Sequence, residues 1–239
     1  MVQANPISVL ISCEHASNRV PRQYQHLFIG HEDLLNSHRG WDAGALQLAK
    51  TLASRLDAPL LTGEYTRLLV DLNRSRNHST RFSEFTRDLH KHVRNEICST
   101  WWQPHWRDYR DHLHTLPDRI LHIACHSFTP VFHGRLRKTD IGLLYDPARP
   151  SEKAFCLRYG QALRRKLPSL KVHMNQPYRG ISNNLGQQHR QHFPDAKLMT
   201  FEIEINQRLV EGSGWNDLSN VICDVTVDRI RAEHFETIL

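Results

Sequence analysis

The sequence predicts an α/β protein: an open, mostly parallel sheet covered by helices on both faces. Three observations carry this. Apolar runs of strand length alternate with amphipathic stretches of helical period along the 239 residues, the pattern of strands and helices taking turns. No internal repeat, low-complexity tract or linker interrupts them, so residues 1–239 read as one domain. Hydrophobic residues make up 39% and charged residues 23%, a composition that supports a packed core and argues against disorder.

The elements follow in order. Residues 7–12 form a buried-type strand that runs into Cys13-Glu14-His15. Across residues 43–56, Ala45, Leu48, Ala49, Leu52 and Leu56 recur at helical spacing. Residues 59–61 and 68–72 read as short strands. Residues 88–116 are a long helical region with Leu89, Val93 and Ile97 on one stripe, which Pro104 should kink or split. Residues 120–125 form a second strongly apolar strand, ending at His126. A strand at 141–145, a helix at 152–167 stopped by Pro168, and a short strand at 171–174 come next. Residues 198–205 alternate as a strand with Glu202 and Glu204 on one face. Asn216 or Asp217 can cap a last helix reaching Arg231. Six or seven strands result, and ligands of such sheets bind beyond the carboxyl ends of strands.

Charge excludes several classes of partner. The net charge is +6, but 31 basic residues are set against 25 acidic ones and scattered. The densest group, Arg158, Arg164, Arg165 and Lys166, has the spacing of a solvated helix face, so no nucleic-acid partner is expected. No apolar run approaches the roughly 20 residues that span a bilayer, and no basic segment precedes the first apolar stretch as in a signal peptide. Five cysteines, odd in number and without a CxxC pair, suggest reduced thiols in the cytoplasm.

Chemistry concentrates at strand ends. VLISCEH delivers His15, ILHIACH delivers His126, and FEIEIN delivers Glu202 and Glu204. H-R-G-W-D places His38 and Asp42 just ahead of a helix. Two imidazoles, one carboxylate and an open position are the usual set for a catalytic zinc. Iron, cobalt or manganese would accept the same donors. Ser127 beside His126 lacks the G-x-S-x-G surroundings of a serine nucleophile. Arg67 and Arg74 end the segment R-L-L-V-D-L-N-R, and a guanidinium matches a carboxylate through two parallel donors. Asn73 lies between them, and Tyr178 with Arg179 lies in a loop rich in turn residues.

These pieces, together with Y-T-R-L-L-V-D-L-N-R-S (65–75), C-H-S-F-T-P (125–130), D-I-G-L-L-Y-D-P (140–147), N-Q-P-Y-R-G (175–180) and E-I-N-Q-R-L (204–209), span nearly the whole chain. The chain resembles the N-formylglutamate amidohydrolase family. The resemblance implies a three-layer α/β/α fold on a mixed eight-stranded sheet, like that of zinc exopeptidases. It also implies metal-assisted hydrolysis of a small N-acyl amino acid, with N-formyl-L-glutamate as first candidate and one zinc per chain. His15 and His126 match the family's histidines, and Asp42 its aspartate, as metal ligands; Glu14 competes with Asp42. Glu204 matches the strand-end general base, with Glu202 its neighbour. Arg67, Arg74, Asn73, Tyr178 and Arg179 are the expected substrate contacts. Asn206 stands where the family usually has arginine, and Asn183 follows Ser182 where aspartate is usual. Both are expected near substrate.

Overall fold

The computed structural model describes residues 7–117 and 119–236. Strand β1 (Ile7–Cys13) runs between β2 (Leu60–Thr62) and β3 (Arg119–Phe128), parallel to both. On the far side of β3 lies β8 (Leu198–Asn206), again parallel. Strand β6 (Ile141–Leu144) pairs antiparallel with β8 and parallel with β7 (Val172–Met174). The six-stranded order is β2-β1-β3-β8-β6-β7. Strands β4 (Val131–Phe132) and β5 (Arg135–Leu136) form a separate antiparallel hairpin past the end of β3. The central sheet thus has six described strands where eight were expected, because this pair leaves it for the surface.

Side-chain alternation divides the sheet into two faces. Val9, Ile11, Leu121, Ile123, Phe201 and Ile203 point to one face. There they pack under α2 (Ala45–Leu56), α5 (Pro150–Lys166) and α8 (Trp215–Glu236). Leu48 and Leu52 of α2 are fully buried in this core. Leu52→Ala would cost about 2–5 kcal/mol through lost transfer energy and the cavity left behind. Leu10, Ile120 and Leu198 point the other way, against Tyr109 and Leu113 of α4 (Gln103–Thr115) and Leu185 of α6 (Leu185–Arg190). Helices therefore cover both faces.

Two local expectations change, and a third takes a specific form. Residues 68–72 form turns and not a strand. Their backbone groups bond outside any ladder: Asp71 N donates to Arg81 O, and Thr86 Oγ1 donates to Leu69 O. Leu69, Val70 and Leu72 instead fill a second core with Ile97 and Trp102. The effect of Pro104 takes the form of a π-helical turn, Cys98–Trp102, joining α3 (Lys91–Ile97) to α4. The wider turn absorbs the missing proline N–H. Helix α8 starts at Trp215, so Asn216 and Asp217 lie within its first turn and not before it. No helix among the described residues is long and apolar enough to cross a membrane.

One buried polar pattern links strands to helix. His122 on β3 is 1% exposed, with Nε2 2.8 Å from Ser12 Oγ and Nδ1 2.7 Å from Thr200 Oγ1 and 3.0 Å from Tyr109 Oη. Burial pushes its pKa down to about 3, so the ring is neutral in the fold.

Candidate active site

The carboxyl ends of β1, β3 and β8 converge beneath one cleft. His15 follows β1, and Asp42 is tied to it through Asp42 N donating to His15 O at 2.9 Å. Asp42 Oδ2 lies 2.9 Å from His126 Nδ1 and 3.3 Å from His15 Nδ1, and Ser127 N donates to it at 3.3 Å. All three side chains are buried. Their facing atoms lie within 4.8 Å of one another, close enough for the three to hold a metal ion.

The outer nitrogens of both rings meet buried carboxylates. His15 Nε2 donates to Asp71 Oδ1 at 2.8 Å, and His126 Nε2 lies 3.0 Å from Glu14 Oε2. Metal-binding imidazoles generally show this arrangement, in which a carboxylate holds the outer N–H and turns the other lone pair inward. Were both protons held outward, as in a metal-binding imidazole, two nitrogen lone pairs and a carboxylate oxygen would face one another, a set that a cation satisfies. Glu14 therefore sits behind His126, with His105 Nε2 3.9 Å from Oε1, while Asp42 occupies the space between the rings.

Charge supports the same fit. Burial alone would raise the carboxyl pKa values of Glu14, Asp42 and Asp71. Hydrogen bonds and charge from neighbouring side chains outweigh it: His105 and His126 for Glu14, His15 and His126 for Asp42, Arg67 and His15 for Asp71. All three carboxyls stay well below the usual range and carry negative charge. Arg67 is the guanidinium that faces two of them, 2.7 Å from Asp71 and 3.6 Å from Asp42. With both imidazoles neutral, three buried anions against one guanidinium would leave room for further positive charge, and the N, N, O donor set suits zinc.

The two glutamates of β8 differ in their commitments. Glu202 Oε1 accepts from Asn73 Nδ2 at 3.0 Å and lies 3.7 Å from His126 Nε2. Glu202 is half-buried and Glu204 buried, yet the Oε2 of Glu204 has no hydrogen-bond partner among the described residues. Burial, then the charges of Asp42 and Glu202, push its pKa up to about 8 against the opposing pull of His126. In register it stands between His126 on β3 and Gly142 on β6. A Cβ at Gly142 would fall 2.1 Å from Gln176 O and 3.2 Å from Glu204 Cβ, so only glycine lets the loop after β7 close over this glutamate.

A sequence model of the N-formylglutamate amidohydrolase family matches residues 7–211. The chain belongs to the N-formylglutamate amidohydrolase family. Among solved structures, the gene product Atu2144 from Agrobacterium tumefaciens is 26% identical with a TM-score of 0.79, covering 96% of this chain and 93% of that one. The N-formylglutamate amidohydrolase from Ralstonia eutropha JMP134 is 14% identical with a TM-score of 0.68, covering 97% and 94%. The latter likeness is one of fold. No curated protein sequence matches the chain.

In this family member the cleft above the cluster has a volume of about 810 Å³. The five expected substrate contacts all line it, but with different commitments. Arg67 is bound to Asp71 and Asp42. Arg74 donates through Nη1 to Asn73 O at 3.0 Å and Asn183 O at 2.8 Å. Asn73 is buried, donating to Glu202 and accepting from Leu185 N at 2.8 Å. Tyr178 Oη accepts from Arg137 at 3.0 Å. The Arg179 side chain is exposed and has no hydrogen bond or ion pair among the described residues.

The two departures from the family pattern part company here. Asn183 lines the cleft, its Oδ1 accepting from Ser75 N at 2.9 Å. Asn206 does not: fully buried, it donates to Thr139 O at 2.8 Å and caps α7 (Gln207–Val210) by accepting from Arg208 N. The expectation that Asn206 lies near substrate is corrected. Asp71 and His105 entered no ligand or orienting role in the sequence reading. Asp71 had a signal in the aspartate of V-D-L-N-R, whereas His105, buried on α4, had none.

Proposed function

We propose that this chain, acting as one amidohydrolase domain, cleaves the acyl group from a small N-acyl amino acid, with N-formyl-L-glutamate as first candidate. The observation that carries the reading is the convergence of His15, Asp42 and His126 on one point, with the unpartnered Oε2 of Glu204 in the same cleft. His15, Asp42 and His126 would hold one divalent metal, zinc by preference. A zinc ion supplies Lewis acidity, polarising an acyl carbonyl and easing deprotonation of water.

The chain's own residues do the rest. Asp71 and Glu14 keep the imidazoles turned inward through their outer nitrogens. Glu204 Oε2 takes a proton from the attacking water and passes it to the leaving nitrogen. A carboxyl with a pKa near the working pH suits both transfers. Arg179 and Arg74 grip the substrate carboxylate, and Arg67 holds Asp42 and Asp71 in place beside the developing oxyanion. Asn73 fixes Glu202 and so keeps it from Glu204's task. The five cysteines are buried and unpaired, which supports a reducing, cytoplasmic setting.

Assaying amino-acid release from a panel of N-acyl amino acids, with zinc-loaded and chelator-treated protein, tests this reading. Release that requires the metal is expected. A zinc-loaded, folded chain that releases nothing from any member of the panel would overturn it.

A further inference from the structure

Two groups of residues lining the cleft differ in character. Residues 67–87 supply Arg67, Arg74 and Arg87 with small hydroxyl side chains, beside Leu68, Phe82 and Glu84. Phe128, Val131, Phe132 and Tyr178 line the same cavity. Three of these four are exposed: Val131 at 48%, Phe132 at 43% and Tyr178 at 41%. Large apolar side chains left open beside a polar cluster mark a place where something apolar binds.

This wall is held in shape. Val131 and Phe132 form β4 of the hairpin, whose turn places His133 at φ 48° and Gly134 at φ 72°. Left-handed values at both central positions belong to the tight two-residue turn that matches strand twist. Arg137, just past β5, lies 5.4 Å from the Phe128 ring centre, 4.5 Å from that of Phe132 and 4.9 Å from that of Tyr178. Its Nη1 also donates to Tyr178 Oη. One guanidinium thus gathers three rings from two chain segments, a cation–π arrangement that fixes their spacing. Tyr178 belongs to the loop that Gly142 admits over Glu204, so the wall adjoins the reacting end of the cleft. A formyl group has no apolar surface with which to cover it.

We infer that this wall is an acyl-binding shelf and that preferred substrates carry a bulky apolar acyl group of aromatic size on an acidic amino acid. The shelf would take the ring, and the basic wall the carboxylates. The inference rests on the hydrolase reading for its chemistry but not for its binding.

The test compares N-acetyl-L-glutamate with N-benzoyl-L-glutamate in two ways. Titration calorimetry on zinc-loaded Glu204→Gln protein reads affinity without turnover, and release kinetics on the wild type read kcat/KM. The benzoyl compound should bind roughly ten- to a hundredfold tighter, the range for taking a phenyl ring out of water. Phe132→Ala, at an exposed position, should cut that advantage to within about threefold. Equal affinities for the two compounds, or an advantage untouched by Phe132→Ala, would overturn the shelf. Tight benzoyl binding with no release from either compound or from N-formyl-L-glutamate supports the shelf and overturns the hydrolase reading. Equal binding with release from both does the reverse.

Discussion

Glu204 and His126 occupy directly paired positions on the parallel strands β8 and β3, so a carboxylate and an imidazole leave the sheet side by side into one cleft. The next residue back on the same face, Glu202, pairs with Ala124 and spends its Oε1 on Asn73. One register step therefore separates a glutamate free to move a proton from one that is already engaged.

Glu204→Gln keeps the shape and removes the proton acceptor. Zinc should stay bound while kcat falls by roughly 10²–10⁴-fold, the usual worth of general acid–base catalysis. Glu202→Gln should stay within a few-fold of wild type. Steady-state kinetics with matched zinc analysis checks both, and the opposite ranking would transfer the role to Glu202.

Orientation of the imidazoles gives a second prediction. Asp71→Asn and Glu14→Gln leave all three inward-facing atoms in place but weaken the hold on the outer nitrogens. Zinc affinity, read by competition with a chelator, should drop about 10–100-fold, with far-UV circular dichroism unchanged. Unaltered affinity in both variants would remove Asp71 and Glu14 from this role.

Arg179 and Arg74 should separate in a substrate-clamp experiment. Arg179 has no hydrogen bond or ion pair among the described residues, so Arg179→Ala should raise KM for an acidic substrate with little change in kcat. Arg74 also holds Asn183 O, so Arg74→Ala should raise KM and lower kcat together. Lysine restores charge at either position but not the two-pronged fork, and should recover only part of the loss. Equal KM values for wild type and Arg179→Ala would exclude Arg179 from the clamp.

Acid sensitivity should trace in part to His122, which stays neutral in the fold with its pKa pushed down to about 3. The unfolded chain protonates this ring near pH 6.5. Between those values the unfolded state binds more protons, so stability is fully present above about pH 6.5 and is lost as pH falls toward 3. From pH 6.5 to 5 the loss attributable to this ring is up to about 2 kcal/mol. Urea unfolding at both pH values should show that loss reduced in His122→Gln, and an identical loss in both proteins would contradict it.

Much of this was legible in the sequence, and the reasons for the remainder are physical. Ile7–Cys13 and Arg119–Phe128 read as strands from their apolar runs, as expected of parallel strands under two helix layers, and Leu198–Asn206 from its alternation. Asp42 and the two histidines stood out because each follows or precedes a strongly patterned element. Residues 68–72 misread as a strand because their apolar side chains serve a second core while their carbonyls bond to Ser83 and Thr86. The choice between Asp42 and Glu14 could not be read, since adjacency to His15 favours Glu14 and only the packing of β3 puts it behind His126. The aromatic wall was equally hidden, because Phe132, Arg137 and Tyr178 meet only once two loops fold together.

The most direct measurement is zinc stoichiometry by elemental analysis on wild type, Asp42→Asn and Glu14→Gln, each loaded with excess zinc and desalted. One zinc per chain is expected in the wild type, a loss of most of it in Asp42→Asn, and retention of most of it at stoichiometric loading in Glu14→Gln. Full zinc in Asp42→Asn, or none in the folded wild type, would contradict a metal centre built from His15, Asp42 and His126.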